Sequence, residues 1–410
     1  MPSSIADQPI GDPAMTLALL NDILGTRYTF KSAPSLVSAL EYCKEKEYDL
    51  GMTYGMLRPW WLCDNLHLIH FPSLFESLER DDRERREHAV VNGLVVESEM
   101  PPRRIWDLYS NRVLPSWALG IFEFGNFGSH VQAISHAWMP LEQRVGVSTS
   151  INGHKWPVPF PKDLDPDGLR IELLNLHTRN DVPHRRIAAE YAWLDVLCLR
   201  QMGGKPHEEG LRAKEWRVDV PTIGAVYQSC WIIVVYLNGL GLPFEEANLD
   251  NPRHWCNRAW TMQEWCPATS YYRNVLLGGI TKQSPAFDIY CESPAANSYF
   301  AVHLSQRMSI PDARACLDNI FGAAAMMGRR HAEGEVDKVA GLAYFVCNHI
   351  RPVFEAEKGV DDAWSALVSC MTPVARGQLF FIFPEAGNFE DSEFRWMPSW
   401  NQLLNGAEAL

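Results

Sequence analysis

From Val131 onward, short apolar runs alternate with helix-length amphipathic segments, and this alternation constrains the fold more than any other feature of the chain. The runs are VQAISHAW (131–138), YAWLDVLCL (191–199), WIIVVYLNG (231–239) and NVLLGG (274–279). WIIVVYLNG is rich in β-branched and aromatic residues with no polar alternation, as in a strand buried on both faces. Between the first two runs, DPDGLRIELLNLHTR (165–179) sets Leu169, Leu173, Leu174 and Leu176 at largely helical spacing, and Asp165 followed by Pro166 is a strong helix start. DVPTIGAVYQS (219–229) opens another helix at Pro221, and a further helix covers about 255–266. Strands separated by helices pair in parallel, because the crossover leaves room for no hairpin. The pattern therefore predicts an α/β domain over residues 91–284, with a small parallel sheet of about four or five strands flanked by helices.

At 410 residues the chain is too long for one ordinary core and calls for two or three packed units. Residues 1–90 form a variable N-terminal region that ends in ESLERDDRERREH (76–88), where Arg83, Arg85 and Arg86 are interleaved with acids. That pattern reads as a solvated helix face or linker rather than an anion site. PPRRIWDLYSNRVLPSW (101–117) is apolar and aromatic enough to pack against a neighbour, and GNFGSH (125–130) leads into the first strand. Residues 285–410 change character to helices such as ARACLDNIFGAAAMMGRR and DKVAGLAYFVCNHI, then the strand-like FFIF (380–383) and the phrase RWMPSW, giving a mostly helical C-terminal extension.

Composition removes several function classes. A net charge of -13 leaves no electrostatic footprint for nucleic acid. No apolar stretch is long enough for a membrane span, and MPSSIADQPIGDPAM lacks a signal-peptide layout, so a soluble cytoplasmic protein is expected. The 10 cysteines include no CxxC pair, and Cys198, Cys230 and Cys347 lie in apolar runs, as reduced core residues do. Phosphate-loop, dinucleotide, zinc-helix and nucleophile-elbow motifs are missing. His67 and His70 have no third ligand nearby, so no metal is expected, and QMGGKP reads as a turn.

In an open parallel sheet the ligand lies beyond the carboxyl ends of the strands. That rule selects Ser135 and His136, Asp195 to Gln201, Asn238 and Gly239, and whatever the last helix presents. Glu264 and Trp260 are four apart and share a helix face, with Arg258 near the helix start, so a carboxylate, an aromatic plate and a cation can line one crevice. A Trp at helical spacing is nevertheless more often a core plug than a stacking plate. Asp195 lies within an apolar strand, where an unpaired carboxylate is costly, so it requires a dedicated partner: Arg258, or a ligand hydroxyl. A lone His at a strand end, such as His136, is more often structural than a base, and Cys198 has no nearby cation to activate it.

Three strings, AISHAW (133–138), YAWLDVLCLRQ (191–201) and NRAWTMQEW (257–265), resemble in their order the fungal heterokaryon-incompatibility (HET) domain. That family carries roughly a Leu-Ser-Tyr-x-Trp strand, a Trp-Ile-Asp-x-x-Cys-Ile-x-Gln strand and an Arg-Gly-Trp-Thr-x-Gln-Glu helix start. GRRHAEGEVDKVAGLAYF and RWMPSWN extend the resemblance towards the end of the chain. His136 stands for the usual Tyr, Met139 for a Gly and Ala259 for another Gly. HET domains are distantly similar to TIR domains, so the resemblance implies a TIR/flavodoxin-like sheet and, as in enzymatic TIR domains, hydrolysis of the nicotinamide glycosidic bond of NAD. It implies Glu264 as the catalytic residue; Ser135, His136, Asp195, Arg258 and Trp260, selected above by their places at the strand ends and helix start, are the expected substrate-binding residues. NAD would then be a substrate, with no further cofactor. Self-association, an unknown protein trigger and a fungal self/non-self or cell-death response are implied with it. The alternative is a non-catalytic signalling module in which the same strings hold the sheet together.

Overall fold

The computed structural model describes residues 1–119, 128–176, 189–243, 251–265, 274–279, 319–387 and 395–407. Among the described residues six strands form the main sheet: β1 (Arg104–Asp107), β2 (Arg112–Pro115), β3 (Gly128–His136), β4 (Tyr191–Leu194), β5 (Cys230–Tyr236) and β6 (Asn274–Leu277). Their spatial order is β6-β5-β3-β4-β1-β2. The pairs β6/β5, β5/β3 and β3/β4 are parallel, with Ile134 opposite both Val234 and Leu194. The protein is thus α/β, and all four anticipated apolar runs enter the parallel part of the sheet. The sheet is mixed rather than wholly parallel, because β1 pairs antiparallel with both β4 and β2. The β1–β2 turn closes with Asn111 at φ 54, a left-handed conformation that Asn tolerates, and its side chain accepts from Trp106 Nε1 at 3.1 Å.

Two elements differ from expectation in ways that matter for the site. YAWLDVLCL is a strand only to Leu194, and Asp195–Cys198 is a helical turn. Asp195 causes the break: its Oδ1 accepts from Val196 N at 2.7 Å and its carbonyl from Leu199 N at 2.8 Å, so the carboxylate stands at the strand end instead of inside the sheet. Around Pro221, a helix over Pro206–Asp219 precedes the one at Ile223–Ser229, so the helical segment begins earlier than the proline suggested. Pro166–Asn175 is helical as expected, with Asp165 capping Asp167 N at 3.1 Å.

Residues 1–90 supply helices Pro13–Leu24, Ser35–Glu45, Leu50–Leu57 and Phe71–His88, whose shared core includes Leu20, Leu36, Leu40, Phe71 and Phe75. This layer docks on the antiparallel edge of the sheet. Arg112, 1% exposed, pairs with Asp49 at 2.9 Å and Asp7 at 2.6 Å. Within ESLERDDRERREH, Arg86 and Asp82 are buried and paired at 2.9 Å, with Asp219 3.6 Å from the same arginine. That part of the segment is a docking face, not the solvated one its mixed charge suggested.

The C-terminal layer consists of helices Ile320–Gly328, Glu335–Val346, Val360–Cys370, Pro373–Phe381 and Trp400–Gly406 around Met327, Leu342, Trp364 and Trp400. The phrase FFIF is not a strand: it ends the Pro373–Phe381 helix, where Phe380 and Phe381 are exposed. Ala259 and Met262 belong to the same apolar cluster, so the segment bearing Glu264 is rooted in the C-terminal layer. Among the described residues no helix is long and apolar enough to cross a membrane.

Candidate functional site

The four parallel strands run in the spatial order β6-β5-β3-β4, so the direction of winding reverses between β3 and β5. Beyond the carboxyl ends of such a pair the flanking loops separate and leave a crevice. Ser135 and His136 end β3 there, and Trp255, whose N–H donates to Leu237 O at 3.0 Å, follows β5. The helix Thr261–Trp265 brings Glu264 to this point.

Ser135 Oγ accepts from Trp255 Nε1 at 2.5 Å and donates to Glu264 Oε2. Tyr227, from the helix beneath, donates to Ile134 O at 2.8 Å and also stands beside the Glu264 carboxyl. Burial pushes Glu264 up to about 7; the Ser135 hydroxyl opposes the rise and the nearby Asp195 charge adds to it. No arginine pairs with this carboxyl among the described residues.

Asp195 and His136 form the second half of the site. His136 Nε2 lies 2.8 Å from Asp195 Oδ1, and Trp138 Nε1 donates to Oδ2 at 2.8 Å. Burial alone would make His136 harder to protonate, but the charge and hydrogen bond of Asp195, helped by Glu264, outweigh it and raise its pKa. Burial would likewise raise Asp195; the His136 charge and the donors His136, Trp138 and Val196 N hold it below the usual carboxylate range. Two neighbouring carboxyls are therefore driven in opposite directions, one towards a neutral acid and one towards a firm anion.

Ser135, His136, Asp195 and Glu264 thus come together. Arg258 is not the partner of Asp195. It lies 6% exposed, its carbonyl accepting from Arg330 Nη1 at 2.9 Å and from Thr261 Oγ1 at 2.8 Å. Burial, then the like charge of Arg253, lowers its pKa. Trp260 also goes elsewhere: its ring meets Phe354 at 6.2 Å, next to Trp216, which makes it a packing residue rather than a plate over the carboxyls. It precedes the helix instead of lying on it, so the four-residue spacing to Glu264 does not bring the two onto one face. Trp138, Tyr227 and Trp255 were not singled out from the sequence. Trp138 lay inside the AISHAW string, and its indole N–H is the signal; a partly buried tryptophan near polar residues looks for an acceptor.

The other candidates resolve into structure. Gln201 Nε2 donates to Leu199 O at 2.9 Å and holds the turn after β4. Gly239, at φ +132, is where a Cβ would meet Met139 Sδ at 2.4 Å, so Met139 fills the space over a backbone that needs glycine. Ala259 adds its methyl to the C-terminal core and not to the crevice. Burial pushes the Cys198 thiol up to about 12, which makes it inert at neutral pH. Gly203, at φ +84, donates its N–H to Glu209 Oε1 at 2.8 Å, a closed turn. His70 accepts from Ser73 N at 3.4 Å as a helix cap, and no group of three or more metal-ligating side chains occurs among the described residues. A separate cleft of about 480 Å³ lies between the N-terminal region and residues 148–167. Its carboxylates Asp7 and Asp49 are tied to Arg112, and Asp167 to Ser3 and Asn111. Compared with known proteins, the chain matches no family model, no curated protein and no solved structure.

Proposed function

We propose that the chain is a HET-type protein that hydrolyses the nicotinamide glycosidic bond of NAD at the Ser135, His136, Asp195 and Glu264 crevice, as part of a fungal self/non-self or cell-death response. The observation that carries this reading is Glu264, a carboxyl raised to about 7 at the point where the strand order reverses. Supporting the reading, the order of the four parallel strands among the described residues is compatible with a TIR/flavodoxin-like sheet, in which a ligand would bind at that reversal. A general base is most effective with a pKa near the working pH. In the reaction the ribosyl C1′–N bond breaks and its electron pair goes to the nicotinamide nitrogen, which becomes neutral. Water attacks the cationic C1′ and gives its proton to Glu264, while Asp195, held ionised by His136 and Trp138, favours the positive ribosyl centre.

The test is NAD consumption by the purified chain over a range of concentrations beside Glu264→Gln. Turnover should rise with concentration and fall on the order of 100-fold or more in the variant. Full cleavage by an intact Glu264→Gln protein removes the assigned role. Absence of turnover at every concentration favours the second reading, a non-catalytic self-association module. Its specific support is the exposed apolar group Val374, Phe380, Phe381 and Ile382 on the C-terminal layer.

A further inference from the structure

Beside the crevice stands a cluster of cations that the catalytic carboxyls do not use. Arg144 Nη2 and Arg253 Nη1 converge on one atom, Glu333 Oε1, at 2.8 and 3.7 Å. Arg258 is bridged to His331, two residues before that glutamate, and no carboxylate within ion-pair distance meets its guanidinium among the described residues. The side chains of Arg144 and Arg258 are more than nine-tenths buried, and both Arg144 Nη1 and Arg253 Nη1 are buried without a hydrogen-bond acceptor. A buried guanidinium with an unused donor is costly unless an acceptor arrives to take it. The acids facing the group are Glu333 and Asp337; burial, then Glu333, raises Asp337 to about 6, which leaves it mostly ionised at neutral pH. Three guanidinia thus face two carboxylates, of which only Glu333 lies within ion-pair distance among the described residues.

The cluster is joined to the crevice through one side chain. The Arg144 guanidinium lies over the Trp138 ring at 4.8 Å, and the edge of that indole donates to Asp195. We infer that Arg144, Arg253 and Arg258 form a diphosphate-binding subsite, with Glu333 as a resident anion that the ligand displaces, and that Trp138 sets the spacing between this subsite and the Glu264 crevice. Planar guanidinia suit phosphoryl oxygens because each offers paired donors, and three of them in one cluster match the several acceptors of a diphosphate. The substrate class that fits both halves is a nucleotide in which a diphosphate is joined to a ribosyl group. The inference deepens the proposed function and rests on it for the ribosyl half only.

Titration calorimetry of the full chain with inorganic pyrophosphate and with ADP-ribose tests it. Both should bind competitively, and Arg144→Gln or Arg253→Gln should weaken each about tenfold or more. Glu333→Gln, at an exposed residue where folding is not at stake, should tighten both several-fold. Affinities unchanged in Arg253→Gln and Glu333→Gln, or no binding by either probe to the Glu333→Gln chain, overturn the subsite. The two proposals fail separately: arginine-dependent pyrophosphate binding without NAD turnover keeps the subsite and removes the hydrolase, whereas turnover whose KM ignores Arg144 and Arg253 does the reverse.

Discussion

At the scale of single residues, the decisive contrast is between Glu264 and Asp195, which have the same functional group and opposite electrostatic settings. Glu264 has a neutral hydroxyl and a neighbouring anion around a buried carboxyl; Asp195 has an imidazole, an indole N–H and a backbone N–H. The contrast has a consequence for stability. Because the folded pKa of Glu264, about 7, lies above its unfolded value of 4.5, the native state holds this proton more tightly, and stability is lost as pH rises between those values. Glu264→Gln cannot ionise. Its stability relative to wild type should therefore rise between pH 4.5 and 7, by roughly 3 kcal/mol at most, and stay level above. Denaturant melts of both proteins at pH 5 and pH 8 measure it; an equal difference at the two values would mean that Glu264 has an ordinary pKa. His136 is legible in the sequence as a strand-end residue, but its partner is not. Asp195 in an apolar run calls for a partner of some kind, and only the fold shows that a histidine and a tryptophan from β3 fill the role instead of Arg258.

At the scale of elements, what could be read in advance were the segments whose signal is local. The WIIVVY run gives β5 because every residue from Ile232 to Tyr236 is buried, and Asp165–Pro166 starts its helix by capping. β1 and β2 escaped because each has only four residues, and because Arg104, Asp107 and Arg112 are charged yet buried. Their burial depends on partners far along the chain, such as Glu215, Arg58 and Asp49. Trp260 shows the converse, a helical spacing that no helix realises. The helix Leu50–Leu57 docks on this hairpin through glycine. A Cβ at Gly51 would meet Ala6 Cβ and the Ser110 carbonyl oxygen, both at 2.9 Å. The carbonyl is backbone and cannot step aside, so Gly51→Ala should destabilise the protein by about 1–3 kcal/mol despite the better helix propensity of alanine. A chemical melt decides; equal or greater stability would show that the contact relaxes freely.

At the scale of the whole molecule, three large apolar cores and one small one are present among the described residues, and the candidate site lies where two of the large ones meet. Ala259 and Met262 enter the C-terminal core, while Trp255 and Cys256 enter the core of the sheet. A chain ending at residue 284 would leave Ala259 and Met262 uncovered and remove Arg330 from the Arg258 carbonyl and Thr261. Such a chain should lose the cooperative unfolding transition and any NAD turnover, while full cooperativity and activity would show that the last layer only decorates the sheet. The charge cluster was equally out of reach of the sequence, since Arg144, Arg253 and Glu333 are separated by most of the domain and no motif joins them.

The clasp of Arg330 over Arg258 and Thr261 also sets an order in time. Synthesis delivers Glu264 well before the residues that fix its helix, and those residues must themselves clear the ribosome before they can fold back. A nascent or prematurely terminated product therefore carries the Glu264 carboxyl without the frame that positions it. For a protein whose proposed chemistry consumes a metabolite that its own cell requires, late assembly of this kind keeps unfinished copies harmless.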